Sequence, residues 1–245
     1  MLNTAMIAIL ATTLMITPAP AVKEAGISAM TKEHFTLSKK EVLGQKYLDL
    51  SNRYPDSFVN GVFSDNIILN LHYMKGDVDS IKTLDNLLCM VNVDWEKARK
   101  PFGFLLELNS GQTFAFHDSL LPQFKDKDVK IGGSHYSIAE GYKSDGYLAG
   151  DGVCHLASLF NWVAREAGLE VVAKVNHDFM PIPDIPKEFG VSIYSIPNSG
   201  YTSEAPLRYA SEGQAQNLYI TNSFDYPVTF TVKVENGLVG LTISR

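Results

Sequence analysis

A run of small residues that opens a long periodic stretch, and a glycine that closes it, constrain this chain more than any other feature. Residues 147–169 read Tyr-Leu-Ala-Gly-Asp-Gly-Val-Cys-His-Leu-Ala-Ser-Leu-Phe-Asn-Trp-Val-Ala-Arg-Glu-Ala-Gly-Leu. Gly150 and Gly152 suit a backbone that bends sharply or comes close to another group. From Val153 the apolar residues Leu156, Ala157, Phe160, Val163, Ala164 and Ala167 recur on one side of a helical wheel, and Gly168 is a natural stop. The pattern predicts an amphipathic helix over 153–167, with Cys154 in its first turn.

Cys154 falls off the apolar stripe, in line with Ser158, Asn161 and Arg165. A thiol at a helix N-terminus faces unpaired N–H groups and the positive end of the dipole, which favour a thiolate. The same N–H groups suit the oxyanion formed when a thiolate attacks a carbonyl. Downstream, residues 168–179 predict a helix end, then a strand, then His177 at the strand's far end. An imidazole returning beside the thiol would complete the thiolate–imidazole arrangement of cysteine acyl-transfer enzymes. Cys154 and His177 are therefore the candidate catalytic residues. Asn176 and Asp178 flank His177 but point to alternate faces of a strand, so a group orienting the imidazole is expected from elsewhere. His155 lies about 100° around the helix from Cys154, a poor position for a direct base. Asp151, His155, Ser158 and Asn161 are candidates for shaping a substrate cleft. The competing reading of Ser158 and Asn161 is a plain solvated face.

These residues carry a family resemblance. Gly150-Asp151-Gly152-Val153-Cys154, the helix after it and Ala167-Gly168-Leu169 resemble the VanW domain, with its glycine-rich run, cysteine-bearing helix and later histidine. Gly111 to Phe116, Gly141-Tyr142 and Gln216 to Asn222 resemble further parts of it, so that the likeness spans roughly residues 100–242. His155 stands where the family has glutamine, and Asp151 where it has glycine. Glu188-Phe189-Gly190-Val191-Ser192 replaces an aspartate-alanine-threonine run. The resemblance implies a cell-envelope protein. Some members are linked with glycopeptide resistance, and some with L,D-transpeptidase activity through the cysteine. The expected substrate is a peptidoglycan stem peptide, or another peptide. A non-catalytic module that binds peptidoglycan or glycopeptide is the alternative.

The rest of the chain bounds these readings. Of 245 residues, 45% are apolar and 20% charged, enough for a sizeable core. A formal charge of −6 offers no basic excess to neutralise phosphates, which argues against a nucleic-acid partner. Residues 1–21 read as a signal peptide or N-terminal membrane anchor: Met6 to Ile16 is an apolar run, and Ala19-Pro20-Ala21 is a small-residue cleavage pattern. The expected location is thus extracellular or the cell envelope. Cys89 and Cys154 are the two cysteines. They can be read as a disulfide or as separate thiols, Cys89 then being a small buried hydrophobe. His34, His72, His117 and His135 show no metal-ligand spacing, and no cofactor motif is present, so neither metal nor cofactor is expected.

The fold expected is α+β. Residues 22–37 form a linker, 38–100 a helical N-terminal cap, and 101–245 the VanW-like domain, a mostly antiparallel sheet packed on the cysteine-bearing helix. Ser38 to Glu41 predicts a capping box opening a helix toward Leu50, and Val78 to Met90 a second helix. Between them, 58–73 fits either helix or strand. Phe102 to Leu108 and Thr113 to Phe116 predict a hairpin, Val191 to Ile196 a short strand. Leu218 to Thr221, Val228 to Val234 and Leu238 to Ile243 predict strands, the last two joined at Asn236-Gly237.

Overall fold

Phe160 stands where the two main sheets meet. Its ring contacts Phe114 and Phe116 on one side, at 6.0 and 5.5 Å between centroids, and Phe230 on the other at 6.2 Å. All four are essentially inaccessible to solvent. Removing such a ring costs about 3–5 kcal/mol. The computed structural model describes residues 40–85, 90–146, 149–195 and 215–245. The leader, linker and Cys89 expectations lie outside them.

The described strands and helices run β1 (Val42–Asp49), α1 (Ser57–Lys75), β2 (Lys82–Asp85), β3 (Met90–Val93), α2 (Trp95–Ala98), β4 (Phe102–Leu108), β5 (Thr113–Ala115), β6 (Val129–Ile131), α3 (Val153–Glu166), β7 (Glu170–Ala173), β8 (Leu218–Thr221), β9 (Val228–Glu235) and β10 (Leu238–Ser244). One sheet has the order β1-β10-β9-β4 and is antiparallel throughout. A second has the order β6-β5-β8-β7, with only β5–β6 parallel. The hairpin β2–β3 stands apart from both. Helix α3 packs on strands of both four-stranded sheets. The α+β class, with antiparallel sheets and a helix packed against them, is thus the architecture observed.

Two local expectations are overturned, and one stretch left open between helix and strand is decided. Residues 42–49 form a strand, not a helix, pairing with β10 from Val42↔Ser244 to Asp49↔Leu238. Partnership with a distant strand overrides the local capping signal. Gly44 makes the close approach possible: a Cβ there would lie 2.9 Å from the Val163 carbonyl oxygen of α3. The helix expected at 78–90 is a single 3₁₀ turn at Val78–Ser80 followed by β2. The stretch 57–75 is one continuous helix, capped by the Asp56 carboxylate on the N–H groups of Phe58 and Val59 and ended at Gly76.

The predicted hairpin between 102 and 116 is also not formed. β4 pairs with β9 in one sheet, and β5 with β8 in the other. Both ribbons turn the corner together between Leu108↔Val228 and Thr113↔Thr221. Asn222 holds that corner, donating to the carbonyls of Leu108 and Tyr226 at 2.9 and 2.8 Å. The predicted turn at Asn236-Gly237 does form, with φ of 52° and 74°. The strand expected at Val191 to Ile196 is not formed in its described part, residues 191–195, although Ser192 N–H reaches the Val175 carbonyl at 3.0 Å and Tyr194 N–H the Gln216 carbonyl at 2.9 Å.

Candidate functional site

The turn before α3 is built against α1. Gly152 has φ 94°, and a Cβ there would sit 2.5 Å from the Phe63 carbonyl oxygen. A side chain is excluded by both the backbone conformation and the space. Asn66 of α1 clamps the same turn, its amide nitrogen donating to the carbonyls of Lys143 and Asp151, each at 3.0 Å, while its oxygen accepts from Lys143 N–H at 2.8 Å. Helix α3 therefore starts where the sequence predicted, with Cys154 in its first turn.

The sulfur, however, is engaged. It accepts from Ile193 N–H at 3.3 Å and donates to the Ile193 carbonyl at 3.7 Å. Burial pushes the thiol pKa up to about 11; the Ile193 N–H pulls it down and the Asp151 carboxylate raises it further. At neutral pH the group is a thiol, and the helix end does not overcome desolvation.

His177 is not its partner: no hydrogen bond joins the two residues. His177 is buried, its Nδ1–H donating to the Met180 carbonyl at 2.9 Å, which leaves Nε2 with the lone pair. Burial holds its pKa below the ordinary histidine range. Its ring lies 5.9 Å from that of His155 and 4.0 Å from the exposed Phe179. His155 is itself buried, edge-on to Phe63 at 5.1 Å, with Nδ1 lacking a hydrogen-bond partner. Its pKa falls to about 3, first through burial, then through the positive charge of Arg53. His155 and His177 are thus neutral neighbours at the Cys154 end of α3.

The other expected contacts lead away from a substrate. Ser158 donates to the Cys154 carbonyl at 2.7 Å and accepts from Val191 N–H at 2.9 Å. Asn161 donates to the Phe189 carbonyl at 2.8 Å and accepts from Arg165 at 2.7 Å. Both are buried. At Ser158 and Asn161 the polar side of α3 is therefore neither a cleft wall nor a solvated face; it pins the 189–193 segment over the helix. Asp151 has one carboxylate oxygen buried without a partner, and burial, reinforced by Asp145, lifts its pKa to about 6. Tyr136 and Tyr142 are core residues.

A cleft of about 210 Å³ opens beside this cluster, lined by His177, Met180, Pro181, Ile185 and Lys187 among others, but not by Cys154. Two contributors had no distinguishing signal in the sequence. Ile193 acts through its backbone alone. Arg53, fully buried, pairs with Asp184 and donates to the Pro183 carbonyl at 3.1 Å, anchoring the proline-rich loop. Among the described residues no group of three or more His, Cys, Asp or Glu is placed to hold a metal ion. No helix among them is long and apolar enough to cross a membrane. No family model, no curated protein and no solved structure matches the chain.

Proposed function

We propose that this chain is an exported, VanW-like module of the cell envelope that binds peptidoglycan peptides or glycopeptide without turnover. The observation that carries the non-catalytic part is the hydrogen-bonded pairing of the Cys154 sulfur with the Ile193 backbone, with no hydrogen bond to an imidazole. A thiol with a pKa of about 11 is a weak nucleophile at neutral pH. What supports binding is the cleft beside His177, with Phe179 and Met180 exposed near its mouth. The envelope location is supported by the VanW-like segment and the N-terminal apolar run. Muropeptides incubated with the protein and with Cys154→Ala test the reading. Saturable binding by both, with identical product profiles, is expected. A product made only by the cysteine form overturns it.

A second reading is cysteine-dependent acyl transfer on stem peptides. It is favoured by the place of Cys154 in the first turn of α3, with His155 and His177 gathered at the same end. In it the sulfur attacks a carbonyl and forms a thioester. The amine leaves with a proton relayed by His177, and an acceptor amine or water then takes the acyl group. This route requires the 193 backbone to leave the sulfur first.

A further inference from the structure

On the far side of the Asn66 clamp, two cations converge on one buried carboxylate. Asp65 of α1 is almost inaccessible. Arg99 holds it through Nε and Nη2, at 2.8 and 2.7 Å, and Lys143 binds the same Oδ2 that Nη2 does. The two cationic heads are thereby fixed side by side. Trp95 braces both, with Lys143 Nζ 4.3 Å and the Arg99 guanidinium carbon 5.7 Å from its ring centre. Beside them lies an open pocket of about 540 Å³, whose walls include Asp65, Arg99, Lys143, Phe58, Val62 and Ile138. Phe58 and Ile138 are 67% and 58% exposed, so this apolar wall is uncovered. The three charged walls sum to one positive charge.

We infer that this pocket binds the C-terminal carboxylate of a short peptide ending in apolar residues. Arg99 Nη1 and the remaining Lys143 hydrogens are donors of the right charge for a carboxylate, held in place by Asp65 and Trp95. Phe58, Val62 and Ile138 offer contact for the apolar side chains that precede it. A free anion would use only the cationic half of the pocket, and a neutral apolar ligand only the other half. The inference does not rest on the proposed function above. Lys143 and Asp151 share the Asn66 amide, so an occupant here would press on the turn that starts α3.

The test follows the Trp95 indole resonance of the full-length protein while N-acetyl-Ala-Ala, its C-terminal amide and acetate are each titrated. Saturable shifts with the free acid are expected, with binding weaker by about tenfold or more for the amide, as for loss of one charge-assisted hydrogen bond. Acetate is expected to bind more weakly than the dipeptide. Phe58→Ser, a surface change that leaves the ion cluster intact, is expected to weaken the dipeptide and leave acetate unaffected. Equal response to acid and amide, acetate as tight as the dipeptide, or no saturable shift overturns the inference. So does a Phe58→Ser protein that binds the dipeptide as well as the parent.

Discussion

The Ile193 N–H points at the Cys154 sulfur from 3.3 Å, and the Ile193 carbonyl accepts the thiol's hydrogen bond at 3.7 Å. A backbone amide occupies the position an attacking thiol would keep open for its substrate. The consequence is a residue placed like a nucleophile on the helix but partly buried, with its sulfur hydrogen-bonded to the backbone.

Alkylation measures this directly. With the pKa raised from 9.0 to about 11, Cys154 is expected to react with iodoacetamide roughly a hundredfold more slowly than a free cysteine at neutral pH. The rate should climb about tenfold per pH unit past the range where free cysteine has levelled off. Rapid labelling near pH 6 would mean an activated thiolate and would favour acyl transfer.

Asp151 provides a stability test of opposite sign to most carboxylates. Its folded pKa of about 6 lies above the ordinary 3.8, so the stability tied to its proton is complete below 3.8 and is lost as pH rises through 6. Asp151→Asn keeps the neutral form at every pH. It is expected to stabilise the fold by about 1 kcal/mol near pH 8, solvent screening of a half-exposed group included, and to gain nothing near pH 4. Urea unfolding at the two pH values checks it.

His155 acts in the other direction. Its folded pKa, about 3 against 6.5, means that the unfolded chain binds the proton first. Stability is present above 6.5 and is lost as pH falls toward 3. His155→Phe retains packing on Phe63 and removes the unpartnered Nδ1. Acid unfolding of this variant should begin at lower pH. A residual slope should persist from His117, whose pKa burial lowers to about 4.

Gly152→Ala places a methyl 2.5 Å from the Phe63 carbonyl oxygen at a φ of 94°. A loss of about 2–4 kcal/mol is expected, read as a lowered urea midpoint. Gly146→Ala is a control with the same strained sign of φ, at 111°, but open space around the Cβ, and should cost less.

What could be read from residue order follows from the range of the interactions involved. Helix α3 was legible because its stripe from Val153 to Ala167 and its glycine stop are local, and the strands from 218 onward because they alternate around a turn dipeptide. β1 was not, since a partner nearly two hundred residues away decides its conformation while its own first residues resemble a helix cap. The corner at Asn109 to Gly111 read as a hairpin for the same reason: a local turn signal does not tell which sheet the next strand enters. At the site, Cys154 and His177 were found at the end of the same helix, but their separation was not visible in their spacing. Ser158 and Asn161 were correctly set on one side of α3. That a loop some thirty residues later would cover that side left no mark in the periodicity.

The pairing of β1 with β10 also bears on how this domain is made. The two strands are joined by backbone bonds between Glu41 and Arg245, at 3.2 and 3.0 Å in the two directions, and by their side chains. Synthesis runs from β1 to β10, so β1 waits without its hydrogen-bond partner while nearly two hundred further residues are made. β10, made after the other three strands of this sheet, is thus the one that closes it. Loss of β10 would leave β1 without its ladder and bare the edge of β9 that it covers.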